Sequence, residues 1–78
     1  MIKKELRLIK RDDICFLQKK NFFGVWVCLE DYLQGSNFKA VKYFIDKDLA
    51  ILWYIEYYLK TNKNHVEILL TEVELIKL

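Results

Sequence analysis

Proline is missing from this 78-residue chain, and glycine occurs only at positions 24 and 35. Few positions therefore tolerate unusual turn geometry, and nothing forces the backbone to break inside an element. Histidine and serine occur once each: His65 stands beside the loop 62–64, and Ser36 lies in a different turn. A general base needs a nucleophile or an oriented substrate proton within reach, so this pair does not suggest a catalytic triad. No glycine stands beside another to form a phosphate-cradling loop. No catalytic residue, cofactor or small-molecule substrate is expected, and the chain does not read as an enzyme.

Cysteine is scarce too. Cys15 and Cys28 are the only two, and their spacing lacks the C-x-x-C pattern of zinc and redox sites. They read as reduced thiols acting as small hydrophobes. The acidic pairs Asp12/Asp13, Asp46/Asp48 and Glu72/Glu74 fit no calcium-loop spacing, so no metal is expected. The longest stretch free of charge is residues 21–29, too short to span a bilayer. Lys3, Lys4, Glu5 and Arg7 interrupt any signal-peptide core. The expectation is a reduced, cytoplasmic protein with no membrane partner.

Charge of one sign is also lacking overall: the formal net charge is +2. It is unevenly spread, from +4 over residues 1–20, through zero over 21–45, to −2 over 46–78. So weak a dipole does not mark a nucleic-acid binder and argues against an acidic DNA mimic.

What remains is apolar and aromatic: hydrophobic residues make up 54% of the chain and charged ones 31%, the composition of a folded protein. The length fits a single compact domain spanning residues 1–78. Lys, Ile, Phe, Tyr, Asn and Met together number 34, against six for Gly, Ala, Arg and Pro. That skew suggests an AT-rich genome, such as that of a low-GC bacterium, its phage or a mobile element, and by itself it inflates Phe and Tyr.

Four turn clusters, at 11–13, 20–24, 34–37 and 61–64, separate short runs rich in Ile, Val, Phe and Tyr, as in an antiparallel sheet. Residues 14–19 and 25–30 form a hairpin that, centred near Phe22 and Phe23, sets Leu17 opposite Cys28 and Lys19 opposite Trp26. Both its faces are largely apolar, so both need cover. Residues 2–10 add a strand, with a short helix over 3–10 as the alternative. Residues 38–45 make a fourth strand. In 65–78, Val66, Ile68 and Leu70 alternate in one parity and Val73 and Leu75 in the other, which calls for a bulge near Thr71-Glu72.

Asp46 is a suitable N-cap, Asp48 suits the first turn, and Glu56 and Lys60 are a favourable i,i+4 pair, so residues 47–61 read as a helix. A strand competes, because Ile51, Trp53, Ile55, Tyr57 and Leu59 alternate. The fold expected is α+β, a small antiparallel sheet of four to five strands with one packed helix; the alternative is an all-β barrel or sandwich.

Residues 49–59 carry one charge, Glu56. On a helix, Ile51, Leu52, Ile55 and Leu59 form one side and close the core. Ala50, Trp53, Tyr54 and Tyr57 form the other, which needs a second copy of the chain or another protein to cover it. Trp53, Tyr54, Tyr57 and Trp26 are thus the candidate partner-binding residues, since Trp and Tyr bury large rigid areas and keep a polar tip. The function expected is a non-enzymatic protein-interaction module, such as a phage- or mobile-element-encoded inhibitor or modulator of a host protein, or a homodimer. The alternative is a nucleic-acid-binding module using Lys3, Lys4, Arg7, Lys10, Arg11, Lys19 and Lys20 with aromatics between them.

Overall fold

The computed structural model describes residues 2–75. Strands β1 (Ile2–Arg11) and β2 (Ile14–Lys20) form a tight antiparallel hairpin, closed by Asp12 at φ 53°. β3 (Trp26–Cys28) extends the sheet beyond one end of β2, and β6 (Tyr43–Phe44) pairs with the other end. Between them in sequence, β4 (Glu30–Tyr32) and β5 (Lys39–Val41) make a separate two-stranded hairpin. The helix α1 (Lys47–Trp53) follows, then a π-helical turn (Tyr54–Tyr58), a 3-10 turn (Lys63–His65) and β7 (Val66–Glu74). The fold is α+β with an open five-stranded sheet, not a closed barrel.

The sheet is mixed rather than wholly antiparallel. β7 lies parallel to β1 along its whole length, from Ile2 opposite Val66 to Lys10 opposite Glu74. The helix supplies the crossover that a parallel pair requires.

That register also removes the bulge expected near Thr71-Glu72, because β7 pairs continuously through both residues. The change of parity is accommodated by using both faces. Ile68 and Leu70 pack on the core, whereas Val73 lies opposite Ile9, on the face turned away from the helix. Glu72, on the core side, sits at the rim and is bridged by Lys10 (3.2 Å) and Lys47 (3.8 Å).

The β2–β3 register is one residue away from the expected one: Gln18 faces Cys28 and Lys20 faces Trp26. The cause is the turn. Asn21 pairs its backbone with Val25, and its side-chain Oδ1 accepts from the amides of Phe23 (2.9 Å) and Val25 (3.0 Å), while Gly24 takes φ +76°. Trp26 and Cys28 therefore share the outer face with Phe16 and Gln18, and Cys15 and Leu17 point to the core. Both thiols are free. The Gln18 amide donates to Cys28 Sγ at 3.4 Å.

Residues 38–45 do not form one strand. Their first part pairs in the small hairpin and their last part in the main sheet.

Candidate functional site

Asp46 caps the helix as its sequence suggests, its Oδ1 accepting from the Leu49 amide at 2.8 Å, with Asp48 in the first turn. The face that packs on the sheet is rotated from the expected one. Ala50 (0% exposed), Tyr54 (2%) and Ile55 (6%) enter the core with Leu6, Leu8, Leu17 and Phe44, flanked by Ile51, Trp53 and Leu59.

Ala50, which has no bulk beyond Cβ, is fully enclosed in the core cluster. The π turn over Tyr54–Tyr58 then adds a residue to its last coil, so a straight α-helical wheel loses phase there. Tyr54 stacks on Tyr58 with centroids 5.3 Å apart and planes at 15°. Burial, and then the neighbouring Tyr58, push the Tyr54 hydroxyl above its ordinary pKa.

The outward side of the helix consequently differs from the expected quartet. Ala50 and Tyr54 are buried, and Tyr54 has no surface to offer a partner. Trp53 is partly buried, tilted against Phe44 at 5.6 Å and Tyr58 at 5.9 Å. Tyr57 is open, with 69% of its surface exposed. Leu52, expected in the core, is instead 44% exposed, and Leu49 is equally open.

Leu49, Leu52, Trp53 and Tyr57 line a groove of about 390 Å³ with Tyr43, Phe44 and Ile45, whose floor is Phe44 and Trp53 and whose only charged residue among those described is Lys42. Sequence reasoning missed Leu49, Leu52, Tyr43 and Ile45. The i,i+3 spacing of Leu49 and Leu52 was the available signal, hidden because every face of the segment is apolar.

Trp26 is not part of this groove. It lies on the opposite face of the sheet, with the Arg7 guanidinium 4.4 Å and the Lys20 ammonium 5.2 Å from its ring. The basic residues do not form one patch. Lys3, Lys4, Lys19 and Lys20 gather with Tyr54 and Tyr58 around a pocket of about 270 Å³ at the start of β1. Arg7 lies on the outer face, its Nε donating to Gln18 at 3.1 Å. Lys10 and Arg11 sit at the far end of β1, roughly 25 Å away at the rise of an extended strand.

A depression of about 480 Å³ holds Asp12, Asp13, Asp46 and Glu72 with Lys10 and Lys47. Among the described residues no three His, Cys, Asp or Glu side chains come together as a metal-binding group. His65 is exposed in the 3-10 turn, and Ser36 lies in the turn of the β4–β5 hairpin. No helix among the described residues is long and apolar enough to cross a membrane. Compared with protein-family models, curated proteins and solved structures, the chain matches none of them.

Proposed function

We propose that this protein is a non-enzymatic interaction module, a single folding unit in the cytoplasm that binds another protein or a second copy of itself through the groove between β6 and the helix. The observation that supports this most is the strip of exposed Ile45, Leu49, Leu52 and Tyr57 over an aromatic floor, an apolar area of the kind monomers seldom leave open. Tyr57 and the exposed edge of Trp53 have the shape and chemistry of interface anchors. A role as a mobile-element- or phage-encoded modulator of a host protein accords with the AT-biased composition.

The test is a charge placed in the groove. Leu52→Glu should keep the circular dichroism of the wild type, since Leu52 lies outside the core. It should abolish self-association in sedimentation equilibrium, or the cross-linked partner adduct that the wild type forms in cells of its source. A wild type that stays monomeric, with an adduct indifferent to Leu52→Glu, overturns the proposal.

A further inference from the structure

The end of the sheet opposite the Asp12 turn carries two features that the groove does not use. Phe22 and Phe23 stand at the tip of the β2–β3 turn, 97% and 84% exposed, their rings edge-to-face at 5.6 Å. The tip is rigidly built. The amides of Asn21, Phe23, Gly24 and Val25 all find acceptors inside the turn itself.

Behind the tip lies the lysine pocket. Lys4 and Lys19 are partly buried on the core side and Lys3 and Lys20 are exposed, with Glu5, 3.5 Å from Lys20, the only carboxylate among the described residues that line it. That leaves a surplus of three positive charges, more than the +2 of the entire chain. Because β7 runs parallel to β1, Lys63 in the turn before β7 belongs to the same end, as does one further acid, Glu67, opposite Lys3.

We infer that this end docks on the surface of an anionic lipid bilayer, with Phe22 and Phe23 entering the interface and the lysines contacting lipid phosphates. Two adjacent aromatic rings on an exposed tip suit the headgroup–acyl boundary, where cationic side chains extend towards phosphate while their stems lie along the rings. Polar backbone entering an apolar medium is costly unless already bonded, and the amides of Asn21, Phe23, Gly24 and Val25 are satisfied within the turn. Charge complementarity selects the lipid: the lysine cluster matches an anionic leaflet and gains little from a neutral one. A single-stranded nucleic acid fits less well, because the pocket's Tyr58 ring is already engaged by Tyr54 and by the Lys19 ammonium at 5.1 Å.

The experiment is co-sedimentation of the full chain with phosphatidylcholine vesicles, with and without a third of phosphatidylglycerol. Binding is expected to the anionic vesicles and to fall with added salt. Phe22→Ala/Phe23→Ala should weaken it about tenfold or more, from the apolar area withdrawn. Lys3→Gln/Lys20→Gln should do the same through lost charge, and Lys10→Gln/Arg11→Gln, at the far end, should leave it unchanged.

All four substituted positions of the first two variants are exposed, so their circular dichroism should match the wild type. No binding to anionic vesicles overturns the inference, as does binding that survives loss of both phenylalanines. Binding to a uridine oligomer but not to vesicles, lost with Lys3→Gln/Lys20→Gln and kept with Phe22→Ala/Phe23→Ala, assigns the lysines to nucleic acid and also overturns it.

Discussion

Trp53 and Tyr57 are one helical turn apart and should respond oppositely to truncation. Trp53 rests against the buried ring of Phe44 and the half-open ring of Tyr58 and adjoins buried Ala50 and Tyr54, so Trp53→Ala opens a cavity beside the main cluster. Removing a fully buried Phe or Trp side chain costs about 3–5 kcal/mol. Partial exposure of Trp53 places the expected loss at the lower end, about 3 kcal/mol. For a domain of this size each kilocalorie moves the midpoint by about 4–8 °C, so Tm should fall by roughly 12–24 °C. Tyr57→Ala removes a ring that is 69% exposed and should alter stability by no more than about 0.5 kcal/mol. If Tyr57 anchors a partner, the same change should weaken assembly by about 2 kcal/mol.

Thermal melts followed by circular dichroism, run at two protein concentrations, separate fold stability from any contribution of association. Sedimentation equilibrium on the same samples reads assembly. A Tyr57→Ala protein whose Tm drops by ten degrees or more at the lower concentration, or a Trp53→Ala protein with an unmoved Tm, would refute the assignment of core and groove.

The two thiols should differ in reactivity. Cys15 is buried, and burial followed by the charge of Asp46 holds its thiol above the ordinary pKa, so iodoacetamide should alkylate Cys28 first and Cys15 only on unfolding, as peptide mass spectrometry would show. Hydrogen bonding and attraction from Lys10, then Lys47, keep the Glu72 carboxyl below its usual value of 4.5. Because its folded pKa is the lower one, its contribution is present above the unfolded value and lost as pH falls through the folded one. Glu72→Gln should therefore narrow the gap between Tm values at about pH 6 and about pH 3, and an unchanged gap would show that the bridges do not matter. Asn21→Ala deletes the acceptor for two turn amides and should cost about 1 kcal/mol, with faster amide exchange at Phe23 and Val25. His65→Ala should change stability by under about 0.5 kcal/mol, as measured by urea titration.

The residues that announce structure locally were legible: Asp46 as a cap, and the turn clusters at 11–13 and 20–24. Registers and faces were less so, for reasons that lie in particular residues. Asn21 bonds two amides with one side chain and thereby shifts the β2–β3 pairing. A π turn is invisible to a count based on 3.6 residues, and with apolar residues on every side of 49–59 no polar stripe marked which face was free. The parallel pairing of β7 with β1 joins segments more than sixty positions apart, which no local pattern encodes. Of the candidate partner residues, Tyr57 and the edge of Trp53 line the groove, Tyr54 lies in the core and Trp26 on the far face of the sheet.

The position of β1 also sets the order in which this molecule can form. It is flanked by β2, its immediate neighbour in sequence, and by β7, more than sixty positions further along the chain. Residues 66–74 must therefore leave the ribosome before β1 has both hydrogen-bonding edges occupied. Until then Leu6 and Leu8, both fully buried in the finished sheet, lack the cover that Ile68 and Leu70 provide. Closing so long a loop is entropically slow, so the rate-limiting event should be the arrival of β7 rather than formation of the β1–β2 hairpin. Nascent chains halted before Val66 would present an open strand edge, the species in this protein's life most exposed to aggregation and to capture by chaperones.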